Sequence, residues 1–108
     1  MTQGKQIHKI NIQFEQGQIK VDPYTVEARL GDVLQFDVSA SAENIVYVGG
    51  KEWDGVWITG HSTRGTDSFD VLVDPDLDIP DPPGQKEYEY FVVVPRVGYL
   101  DPEVIVKK

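Results

Sequence analysis

His8 and His61 are the only imidazoles in this chain, and cysteine is absent. Thiolate nucleophiles, thiolate metal ligands and disulfides are therefore excluded, and any metal site could draw on two imidazoles at most, completed by carboxylates. Asp74-Pro75-Asp76-Leu77-Asp78 has the alternating oxygen spacing that opens a calcium loop. An EF-hand also needs glycine at the sixth position and glutamate at the twelfth, and here those places hold Ile79 and Gln85. A solvated acidic loop is the commoner fate of such a run. Calcium or copper held by these carboxylates and His61 stands as the alternative. Ser62 and Thr63 follow His61 directly, yet neighbours on an extended chain point to opposite sides and no nucleophile-elbow motif surrounds Ser62. No catalytic constellation results, and the chain is expected not to be an enzyme and to need no cofactor.

The aromatic residues between positions 47 and 61 offer a different chemistry. Trp53 and Trp57 lie in a stretch punctuated by glycines at 55, 60 and 65, with Tyr47 just before and His61 just after. Such rings can stack on a sugar or anchor a protein partner. Tyr47, Trp53, Trp57 and His61 are thus the candidate partner-binding residues, centred on Trp53, which Glu52 and Asp54 flank. Core filling is the more common role for rings like Trp57 and Tyr47 in a small domain. The expected partner is an unknown protein or a carbohydrate.

Charge narrows the partners further. The chain has 108 residues and a net charge of −8, which disfavours a nucleic-acid backbone or an anionic membrane as partner. No apolar run approaches the ~20 residues of a membrane-spanning helix, and the first nine residues lack a signal-peptide core. A cytoplasmic protein is expected if Met1 is the native start, and a periplasmic or secreted one if a leader has been removed.

The elements that must position these residues alternate with a period of two. Lys86 to Val94 is the organising strand: Tyr88, Tyr90, Val92 and Val94 share one face, while Glu87 and Glu89 give way to Phe91 and Val93 on the other. Its first half should be wet on one side and its second half buried on both. Pro95 lacks an N–H and should end it. Similar alternation predicts strands over 6–14, 19–21, 24–30, 33–38, 45–48, 67–74 and 103–107, with turns at Gln16-Gly17 and Gly31-Asp32. Residues 51–66 hold no sustained period and read as an irregular excursion with one short strand at 56–59. Residues 74–85 contain four aspartates and four prolines and read as a rigid surface connection. With no amphipathic helix, one all-β domain spanning 1–108 follows, a Greek-key sandwich or barrel of roughly seven or eight strands.

Pro23-Tyr-Thr-Val26-Glu-Ala28-Arg-Leu-Gly31-Asp32-Val-Leu34-Gln-Phe36 resembles the N-terminal signature of cupredoxins. Tyr88-Glu-Tyr90-Phe-Val92 is similar to the strand entering that family's copper loop, and Leu100-Asp-Pro102-Glu-Val104-Ile-Val106 to the strand leaving it. The resemblance implies a cupredoxin-like β-sandwich, and it places Glu43, Val92 and Leu100 where the family's electron-transfer members carry a histidine, a cysteine and a methionine. No histidine lies between Val92 and Leu100. Valine and leucine cannot donate to copper, so these positions are expected to be filled by apolar packing. The expectation is a metal-free, non-catalytic binding module on a cupredoxin scaffold.

Overall fold

The structure, a computed structural model, describes residues 5–50 and 61–108. These form ten strands: β1 (Ile7–Glu15), β2 (Gln18–Asp22), β3 (Thr25–Arg29), β4 (Val33–Ser39), β5 (Ile45–Gly50), β6 (His61–Arg64), β7 (Asp67–Leu72), β8 (Gln85–Val94), β9 (Gly98–Leu100) and β10 (Glu103–Lys107). No helix occurs among the described residues. One sheet runs β2-β1-β4-β7 and the other β3-β10-β8-β5-β6, with β9 also paired to β8. β1 lies parallel to β4 and β3 parallel to β10, whereas the other pairs are antiparallel.

β8 does organise the second sheet. Its first half pairs with β10 from Gln85 to Glu89, and its second half pairs with β9 on one side and β5 on the other. Tyr88, Tyr90, Val92 and Val94 are buried, and they face a core that includes Ile10, Ile12, Leu34, Phe36, Val46, Val48, Val71, Val104 and Val106. The period-two pattern thus becomes an inter-sheet core, with each sheet giving alternate residues. Phe36 stacks on its cross-strand neighbour Phe69 in the same sheet at 5.1 Å and joins the layers through an edge contact with Tyr90 at 5.5 Å.

Gly31 and Asp32 build the turn between β3 and β4. Gly31 has φ 87°, which a side chain would strain, and the Asp32 carboxylate accepts hydrogen bonds from the backbone N–H of Arg29 at 2.9 Å and of Gln6 at 3.3 Å. His8 Nε2 lies 2.9 Å from Asp32 Oδ2, fastening β1 to the same turn. Burial alone would push Asp32 up, but these hydrogen bonds and the His8 imidazole outweigh it and hold the carboxyl below the usual range.

Four expectations need correction. The described strands number ten, more than seven or eight, because His61–Arg64 and Gly98–Leu100 also pair. Residues 61–64 are therefore not irregular, while the strand expected at 56–59 lies outside the described residues. The stretch 74–85 is more than a surface connection: Leu77 and Ile79 turn inward and are buried against the core. Finally, Phe91 and Val93 on the outer face of β8 are only half-buried, so its second half is not enclosed on both sides.

Candidate functional site

The outer face of the second sheet changes character along β8. Toward its start, Glu87 and Glu89 neighbour Ile105 and Glu103 in β10, and the surface is charged. Toward its end, one row crosses four strands, with Ser62 in β6, Tyr47 in β5, Val93 in β8 and Tyr99 in β9. Tyr47 is 41% exposed and Tyr99 61% exposed, and Ile45 and Val97 lie exposed nearby. Phe91, one step along β8, meets Tyr99 edge-on at 6.0 Å.

Local sequence explains this surface. Val94, Pro95, Arg96, Val97 and Gly98 close a tight hairpin in which Val97 N–H donates to the Val94 carbonyl at 3.0 Å, and its register puts Tyr99 directly opposite Val93. On the other side, Gly49 makes room for the ring of Tyr47. A Cβ at Gly49 would meet that ring at 2.8 Å, so glycine there lets the tyrosine lie along its own strand. Arg64 faces Ile45 across β5 and β6, and Glu43 with Asn44 borders Val94, Pro95 and Arg96 in a shallow depression. The rim therefore carries both signs of charge.

The four residues singled out from sequence are not brought together as a group. Tyr47 points outward. His61 stands opposite Val48, is half-buried, and stacks on Phe69 at 4.2 Å, on the inner side of the same sheet. Trp53 and Trp57 lie outside the described residues. Tyr99 was not anticipated, although the hairpin signal at Pro95 to Gly98 could have placed it beside Val93.

The copper positions can be tested on chemistry. Val92 lies opposite Leu100 in β9 and Val48 in β5, and both valines are fully buried. Glu43 is exposed before β5. This donor set does not fit copper: two hydrocarbon side chains and one exposed carboxylate replace the soft ligands the metal requires. Among the described residues no group of three or more histidine, aspartate or glutamate side chains could hold a metal ion. In the acidic stretch, Asp74 Oδ1 accepts from the backbone N–H of Asp76 at 2.8 Å, and Asp81 pairs with Lys108 at 2.8 Å.

Comparison with solved structures places the fold. A reduced amicyanin variant matches 92% of this chain and 82% of its own at TM-score 0.53 and 8% identity. A second reduced amicyanin, in the Cu(I) form, covers 99% of this chain and 86% of its own at TM-score 0.52 and 8% identity. The copper-containing nitrite reductase of Thermus scotoductus aligns over 93% of this chain at TM-score 0.56 and 11% identity, and the chain spans only 22% of that enzyme. No protein-family profile and no curated sequence matches. The chain has the cupredoxin-like β-sandwich fold without the copper-binding cysteine.

Proposed function

We propose that this chain is a metal-free, non-catalytic binding module that uses the apolar half of its second sheet's outer face. The observation that carries this reading is the exposed row through Tyr47, Val93 and Tyr99. Aromatic and aliphatic side chains there remain in contact with water, whereas the same face toward the start of β8 is charged as a solvated sheet should be. Contiguous exposed apolar surface rimmed by polar groups is typical of interaction sites. Rings of tyrosine supply large contact area at little entropic cost, and they concentrate binding energy. The partner is a protein or a carbohydrate.

The reading is tested by immobilising wild type and a Tyr47→Ala/Tyr99→Ala variant and presenting both to a glycan array and to extract proteins. A ligand retained by wild type and lost by the variant, with matching unfolding curves, is the expected result. Equal retention by the two proteins, or no ligand on either panel, would overturn it.

A further inference from the structure

We infer that this chain pairs with a second copy of itself through β2, an edge strand of the first sheet, in a two-fold register centred on Val21. This edge is separate from the aromatic row on the second sheet, so either role can fail without the other. The two-residue loop Gln16-Gly17 has φ 52° and 76°, the left-handed pair of a tight hairpin, which makes Glu15 and Gln18 the first hydrogen-bonded pair. Bonded pairs then recur at every second residue, Gln13 with Lys20 and Asn11 with Asp22. The backbone N–H and C=O groups of Gln18, Lys20 and Asp22 thus turn toward β1. Those of Ile19 and Val21 turn away, onto the open edge of the sheet, with no hydrogen-bond partner among the described residues. Such an edge is a template for one more strand. Two other edges are less open: in β3 Asp32 occupies both the N–H and the C=O of Arg29, and in β7 the Asp67 carboxylate takes the Ser68 N–H, with Asp70 close by.

Charge selects the occupant and its register. Lys20 and Asp22 are exposed, their cross-strand neighbours in β1 are the amides Gln13 and Asn11, and neither makes an ion pair among the described residues. Antiparallel two-fold pairing that sets open groups against open groups can place Ile19 against Ile19, Ile19 against Val21, or Val21 against Val21. The first puts Lys20 opposite Gln18 of the second copy, and the second puts it opposite another Lys20. The third puts Lys20 opposite Asp22 of the second copy and Asp22 opposite its Lys20, so one short sequence supplies two opposite-charge pairs, at the positions where cross-strand side chains lie closest. It is the register that charge favours. In it the two Val21 residues exchange both backbone hydrogen bonds, and their half-buried side chains cover one another. Pro23 falls opposite Ile19 and, lacking an N–H, ends the ladder. Few residues take part and each copy carries −8, so association is weak, with a dissociation constant of about 0.1–1 mM.

The test is sedimentation equilibrium and ¹H–¹⁵N NMR of the intact protein from about 20 µM to about 2 mM, in about 0.2 M salt to screen the long-range repulsion. Wild type should dimerise, with concentration-dependent shifts at the amides of Ile19 and Val21 that exceed those at Thr25 and Asp70 on the other edges. Lys20→Asp sets carboxylate against carboxylate and Asp22→Lys sets ammonium against ammonium, so each should weaken the dimer by about 5-fold or more. The exchange Lys20→Asp/Asp22→Lys should return it to within about 2-fold of wild type, and an equimolar mixture of the two single variants should associate as wild type does. Both positions are exposed, so all three variants should unfold like wild type, which separates lost pairing from lost folding. A wild type that stays monomeric throughout, a dimer indifferent to the single substitutions, one that neither the exchange nor the mixture restores, or shifts that gather away from β2 would overturn the inference.

Discussion

Tyr90 carries a hydroxyl into the core, where its oxygen has no hydrogen-bond partner among the described residues. Burial pushes this phenol well above its ordinary pKa, because a phenolate there would lose its hydration. The ring and the hydroxyl therefore act in opposite directions. Tyr90→Phe removes an unsatisfied polar atom and should raise stability by about 1 kcal/mol, whereas Tyr90→Ala should lower it by about 3–5 kcal/mol through lost transfer and a cavity. Urea unfolding of the two variants checks both signs. Asp32 behaves in the contrary way, since its carboxylate answers two backbone N–H groups and His8. Asp32→Ala should cost about 1–3 kcal/mol by leaving those donors unmatched. Because its folded pKa lies below the unfolded one, its contribution is complete above about pH 4 and disappears as pH falls further, through the folded value. Unfolding midpoints followed from pH 6 to pH 2 should decline in wild type below about pH 4, and less steeply in Asp32→Ala.

At the scale of elements, the stretch between β7 and β8 shows where composition misleads. Its prolines and aspartates dominate the sequence, so it reads as surface, yet Leu77 and Ile79 insert between them and close part of the core. Ile79→Ala should therefore cost about 2–5 kcal/mol, and Leu72→Ala, on an exposed position of β7, less than about 0.5 kcal/mol. Equal losses in denaturant unfolding would place Ile79 on the surface. Most strands were legible because alternation over five or more residues survives in the sequence, as in Leu34, Phe36 and Val38 or Val104 and Val106. β6 was not, because His61-Ser-Thr-Arg64 contains no aliphatic residue and draws its pairing from β5. β9 was hidden because three residues are too few to show a period, and its register comes from the hairpin. Of the candidate site, Tyr47 was legible from its type. Its separation from His61 was not, since which face each occupies depends on the β5–β6 register. The apolar switch at Phe91 and Val93 was visible in β8, but sequence read it as burial, and only the sheet order shows how much of that face stays open.

At the scale of the whole molecule, a cupredoxin-like sandwich carries no copper-binding cysteine, and in the proposed binding role its exposed aromatic side chains would meet the partner. Cu(II) titration should give no intense visible charge-transfer band, as no thiolate exists to produce one. Eight acidic residues lie between Asp67 and Glu89 against Lys86 as the one base, so added salt should raise the melting temperature, and calcium should do no more than matched ionic strength. If Tyr47 and Tyr99 serve recognition, they must be dispensable for folding. That condition can be measured without knowing any partner, from the unfolding free energy of Tyr47→Ala/Tyr99→Ala relative to wild type. The expected loss is below about 1 kcal/mol, in the range of surface substitutions. A loss of about 3 kcal/mol or more, comparable with Tyr90→Ala, would show that these rings belong to the fold and contradict the binding role.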